Sequence, residues 1–154
     1  MSHENVEVVE SLYEAVQWVF TDEAAEAARI GSSDPDEAIR RFDPVKRVVG
    51  FLAEDVVWEM IFTPAPVVGH RAVVQTISEW IEVMADWKVV DTHFTDAGED
   101  LVLGEATAIQ RGRGSGVPTE QTLFIVYEVK AGKIAHYKEY LDRGEALEAV
   151  GLAE

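Results

Sequence analysis

The chain contains no cysteine, which excludes disulfides, thiolate nucleophiles and cysteine-based zinc sites. Basic residues are scarce: 13 Lys and Arg stand against 29 Asp and Glu, giving a formal net charge of −16. A field of that sign repels DNA and RNA, and no basic stripe offers a local exception. An anionic membrane surface is disfavoured for the same reason. Apolar runs are short, and none approaches the roughly 20 residues a bilayer span requires. The opening MSHENVEVVE has neither the basic start nor the apolar stretch of a secretory signal. The expectation is a cytoplasmic protein that takes neither nucleic acid nor membrane as a partner. There is also no internal repeat and no low-complexity segment.

What is present fits one domain with one core: 154 residues, 47% of them hydrophobic. Val6, Val9, Leu12, Tyr13 and Val16 recur at helical spacing behind a candidate Ser2 cap. Within the Ala-, Glu- and Asp-rich stretch that follows, SSDPDE offers a helix start. Asp34 is placed as N-cap, Pro35 at the first helical position and Glu37 three residues after the cap. Asp43–Pro44 opens another helix, with Val45, Val48, Val49 and Leu52 on one face. VVWEMIF at 56–62 reads as a strand followed by a proline loop, TPAP. His70 to Asp86 reads as a helix whose apolar stripe is Val73, Ile77, Trp80, Ile81 and Met84.

From Lys88 the period changes to two. Strands are predicted over 88–95, 101–111, 120–129 and 133–141, separated by DAGED, GRGSGVP and KAGK, with a short terminal helix in EALEAV. Helices first and an antiparallel meander afterwards give an α+β fold with helices on one sheet face. In LVLGEATAIQR that face carries Gly104, Ala106 and Ala108, all small. Such a stripe leaves either room for a ligand or a close helix contact.

Alternation along GKIAHYKEYLD places Ile134, His136, Lys138 and Tyr140 on one side. Ala135, Tyr137, Glu139 and Leu141 fall on the other, so Glu139 lies on the more apolar face. By the same parity Glu59 and His136 point outward, and Gln121 shares a face with Leu123, Ile125 and Tyr127. The four histidines do not cluster at ligand spacing, so no metal is expected. GRGSGVP lacks the lysine and context of a phosphate loop and reads as a hairpin connection. No serine sits in a nucleophile-elbow sequence.

The succession of FLAEDVVWEM, VVGHRAVVQTI, the period-two strands and GKIAHYKEYLDRGEALEAVG resembles the nuclear transport factor 2-like superfamily. It is most similar to the SnoaL-like branch and to the limonene epoxide hydrolases within it. The resemblance covers about residues 5–16 and 44–150, which makes about 17–43 a helical insertion in a single SnoaL-like domain over 1–154. What it implies is a cone-shaped, curved, mixed or antiparallel sheet wrapped on N-terminal helices, the cystatin-like α+β barrel. A pocket between sheet and helices and a homodimer through the outer sheet face are implied with it.

The same resemblance sorts the chemistries. Limonene-type epoxide hydrolases use an Asp–Arg–Asp set. Its first two positions correspond here to Ala106 and Ala108, its second Asp to Glu139, and the supporting Tyr and Asn to Trp58 and Met60. That hydrolysis is therefore not expected. Ketosteroid isomerases carry their base where Met60 stands, although Tyr13 lies near their tyrosine donor. SnoaL-like cyclases move a proton with an acid on the last strand, to which Glu139 corresponds. The expectation is thus proton transfer on a hydrophobic small molecule without a cofactor, Glu139 acting as acid or base with Tyr13 and Tyr137 beside it. Trp58, Met60, Trp80, Met84, Ala106, Ala108, Gln121 and Leu123 are expected as the ligand wall. A non-catalytic binder and a structural dimer module are the alternatives. For Glu139 itself the alternatives are a hydrogen bond to a buried partner such as Tyr13 or Gln121, or a shifted strand parity that turns it to water.

Overall fold

The structure is a computed structural model that describes residues 2–112, 114 and 116–152. Helix α1 (Ser2–Val16) buries Val9 and Leu12, one turn apart, against the sheet. It already includes Ser2, which the sequence placed as its cap. A 3-10 turn at Gln17–Phe20 leads into α2 (Asp22–Gly31), where Thr21 Oγ1 accepts from Ala24 N at 3.1 Å. Helix α3 (Pro35–Arg41) starts where the sequence set it: Asp34 Oδ1 accepts from Glu37 N at 3.2 Å and Pro35 opens the first turn. Helix α4 (Asp43–Gly50) follows, and the segment read as an insertion is thus folded into short helices. Helix α2 packs on α5 (His70–Val83) through Gly31, where a Cβ would collide with Ser78 Oγ.

Six strands form an open curved sheet in the order β2-β1-β6-β5-β4-β3. They are β1 (Leu52–Glu59), β2 (Val67–Val68), β3 (Met84–Asp96), β4 (Leu101–Gly112), β5 (Pro118–Lys130) and β6 (Lys133–Tyr140). β3 to β6 make the expected antiparallel meander, and β1 runs parallel to β6, so the sheet is mixed. Helix α6 (Arg143–Ala149) ends the fold, with Asp142 Oδ1 accepting from Glu145 N at 3.0 Å. Val9, Val56, Val73, Val102, Val129 and Ile134 are the largest fully enclosed side chains and belong to one core cluster. In the expected GRGSGVP connection, Arg113 and Ser115 lie outside the described residues.

Three local expectations are corrected. The helix predicted to Asp86 stops at Val83, and Met84 is the first residue of β3, paired with Gly112. Ladder pairing from that point outweighs the continuing apolar period. The strand predicted over 56–62 occupies 52–59 instead, so Leu52 belongs to the sheet rather than to a helix face. Ile61 and Phe62 then fall in the proline-containing loop, 40% and 50% exposed. Finally, β6 does not alternate strictly. Ile134 pairs with Val129 but His136 with Glu128, so one extra residue is absorbed on β6. Ile134, expected beside His136 and Lys138, is therefore turned into the core at 0% exposure. Alternation resumes beyond the bulge, with Tyr137 buried on the helix side and His136 outside, bonded to Glu59.

Candidate functional site

Between the inner sheet face, α1, α5 and the 60–66 loop lies a cavity of about 900 Å³. The small-residue stripe on β4 accounts for it in part. Gly104 is already filled, since a Cβ there would lie 3.0 Å from Tyr127 and 3.3 Å from Phe94. Ala106 and Ala108, further along, border open space. The stripe thus serves both purposes, close packing at one end and room at the other.

The predicted site residues all border this cavity. Tyr13 comes from α1 and Trp80 from α5. Trp58 and Met60 come from β1 and the residue after it, and Met84 from the start of β3. Gln121 and Leu123 lie on β5, and Tyr137 and Glu139 on β6. No Lys, Arg or His is among the lining residues.

Glu139 is tied down at both oxygens. Tyr137 donates its hydroxyl to Oε2 at 2.5 Å, and Ile61 donates its backbone N–H to Oε1 at 3.1 Å. Burial pushes the Glu139 carboxyl above its ordinary value, and these two hydrogen bonds to the charged form pull the other way. The Tyr127 and Tyr137 hydroxyls are pushed far up, by burial first and by the Glu139 charge second, so both keep their protons. The partners of Glu139 are neither Tyr13 nor Gln121. Tyr13 instead accepts at its hydroxyl from Thr92 Oγ1 at 3.2 Å.

An aromatic chain links these groups. Trp58 stacks on Tyr137 with centroids 3.8 Å apart and planes 6° from parallel. Tyr127 meets Tyr137 edge-on at 5.4 Å, Phe94 meets Tyr127 at 6.3 Å, and Tyr13 meets Phe94 at 5.7 Å. The stack has a simple origin, because Trp58 and Tyr137 are register partners on β1 and β6. Sequence reasoning missed Tyr127, Thr92 and the Ile61 N–H as members of this site. Tyr127 was legible from its place on the Gln121 face. Thr92 lies within an irregularity in the β3–β4 ladder, between Val90 and His93, and a backbone donor in a loop has no residue signature. Among the described residues no group of three His, Asp or Glu side chains could hold a metal.

The architecture of six curved strands over N-terminal helices is nuclear transport factor 2-like. Over residues 36–137 the chain matches the SnoaL-like domain family, and it belongs to that family. Solved structures agree on the fold. A nuclear transport factor 2-like protein of unknown function from Burkholderia pseudomallei superposes with a TM-score of 0.67 at 16% identity, over 96% of this chain and 97% of that one. A proposed polyketide cyclase of Xanthomonas campestris gives 0.60 at 17% identity, over 96% and 97%. An LEH-like epoxide hydrolase of M. tuberculosis gives 0.57 at 16%, over 96% and 90%. Identities this low establish the fold alone.

Proposed function

We propose that the protein moves a proton on an apolar small molecule held in the cavity, in the manner of a cyclase or isomerase. The observation that carries this reading is the placing of Glu139 in the wall of a cavity whose lining holds no cationic side chain and two further carboxyls, Glu79 and Glu105; burial there pushes the Glu139 carboxyl above its ordinary value. A carboxylate so placed is a stronger base than an exposed one, and its acid form persists closer to neutral pH. Glu139 takes a proton from a substrate carbon and returns it to another atom, so the carboxyl is regenerated and no cofactor is consumed. Tyr137, bonded to Glu139, orients the carboxyl. Tyr13 orients the substrate from the opposite wall. The similarity in fold to a proposed polyketide cyclase is in keeping with this chemistry. Limonene-type hydrolysis is not proposed, because Ala106 and Ala108 offer no ionisable group where that branch carries two.

The test is Glu139→Gln, which keeps the shape and one of the two acceptor oxygens while removing the titratable proton. Ligand binding within about threefold of wild type, with turnover abolished, supports catalysis by Glu139. Unaltered turnover sinks it. A second reading, a non-catalytic carrier of a hydrophobic metabolite, is favoured by the two alanines on β4, which can only pack against a ligand. In that case no substrate is consumed by either protein. We further propose a homodimer through the outer sheet face, where Leu103, Phe124 and Val126 alternate with the buried residues of β4 and β5. Sedimentation of wild type and Phe124→Lys at equal concentration checks it, and a wild-type monomer refutes it.

A further inference from the structure

Trp58 has a donor with nothing to donate to. Its indole Nε1 is the one side-chain nitrogen or oxygen among the described residues that is buried and lacks a hydrogen-bond partner. The residue is only 4% exposed and borders the cavity. Buried polar groups are satisfied in the great majority of cases, and an unpaired one calls for an explanation. Packing does not supply it, since the ring stack on Tyr137 requires the aromatic face and not the N–H.

We infer that Trp58 is a specificity-determining residue whose Nε1–H donates to an oxygen acceptor on the molecule that fills the cavity. The inference rests on the proposed reading that a small molecule is held there, and it narrows the class. The ligand is an apolar body bearing a carbonyl or comparable oxygen, not a plain hydrocarbon. Position supports the assignment. Trp58 and Tyr137 are paired across β1 and β6 and stacked at 3.8 Å, and Tyr137 in turn holds Glu139 at 2.5 Å. The orphan donor and the carboxyl therefore belong to the same end of the cavity, so an oxygen bound by one sits beside the bonds the other would act on. Approach to the nitrogen asks the wall to give. Met60, the next inward residue and only partly buried, has the unbranched thioether side chain best suited to do so.

The experiment uses two probes of nearly equal shape, 2-acetylnaphthalene and 2-isopropylnaphthalene, the first carrying a carbonyl oxygen where the second has a methyl group. Their affinities are measured for wild type and for Trp58→Phe. The ketone-to-hydrocarbon affinity ratio is expected to fall roughly tenfold in the variant, the worth of a good hydrogen bond. In wild type, the Trp58 indole proton should move downfield with the ketone and not with the hydrocarbon, a readout that survives even if the variant fails to fold. An unchanged ratio, or an indole signal indifferent to the ketone, overturns the assignment and leaves the cavity reading standing. If neither probe binds wild type up to its solubility limit, the cavity reading falls and this inference with it.

Discussion

Tyr137 donates its hydroxyl to Glu139 Oε2 at 2.5 Å from two residues away on the same face of β6. One strand therefore supplies both the acid and the group that orients it, and their spacing is fixed by the pleat rather than by a loop. Tyr137 is itself clamped, with Trp58 stacked on its face and Tyr127 against it edge-on. The carboxyl is thus held by a rigid wall on one side and by the Ile61 N–H of the 60–66 loop on the other.

Removing the tyrosine hydroxyl should be felt at the carboxyl first. In Tyr137→Phe the ring stack stays while the charged form of Glu139 loses a donor. Its titration midpoint should move further up, read from carboxyl carbon shifts against pH. Stability should fall by about 1 kcal/mol, the usual worth of one hydrogen bond. A midpoint that stays put would mean the hydroxyl does not stabilise the charge.

Glu139 should also make stability depend on pH with a definite sign. Its native pKa is raised, so the native state holds the proton more tightly than the unfolded chain. Stability attributable to it is complete below the ordinary glutamate value of about 4.3 and is lost as pH rises through the native value. Glutamine does not titrate. The stability of Glu139→Gln relative to wild type should therefore climb across that window and level off above it, in melting curves at stepped pH. A difference that is flat with pH would show that the carboxyl is not desolvated.

The fold was legible because its signals are periodic. Valines at helical spacing in α1, the SSDPDE cap and the change to period two after Lys88 each have a physical cause that survives folding. Glu139 was legible for the same reason, through the alternation of β6. What could not be read were departures from period. The extra residue absorbed on β6 depends on the pairing partners of both its edges, and the early start of β3 depends on Gly112 across the sheet. Nothing within either segment encodes them.

The bulge gives a direct check. Strict alternation would make Ile134 an outer-face residue, whereas the structure encloses it completely. Ile134→Ala should cost about 2–5 kcal/mol, as buried truncations do. His136→Ala, which only loses a surface pair with Glu59, should cost under about 1 kcal/mol. Chemical denaturation of the two variants separates these outcomes. Equal, small losses would restore the uninterrupted strand.

The two ends of the small-residue stripe should respond oppositely to added bulk. At Gly104 a methyl group meets Tyr127 at 3.0 Å and Phe94 at 3.3 Å, both on the cavity side of the sheet. Gly104→Ala therefore overpacks an occupied place and should lose about 1–3 kcal/mol of stability. Ala106 borders open cavity, so Ala106→Leu can place its side chain without displacing a neighbour. That variant should keep stability within about 1 kcal/mol, because the added apolar surface is buried in space already enclosed. It should instead weaken a neutral hydrophobic probe, N-phenyl-1-naphthylamine, by at least about tenfold, since the probe and the leucine compete for one volume. Fluorescence titration beside a denaturation curve reads both quantities on one sample. If Ala106→Leu destabilised the chain as much as Gly104→Ala while leaving the probe bound, the open end of the stripe would be packed rather than empty, and the site would have to be sought elsewhere along the sheet.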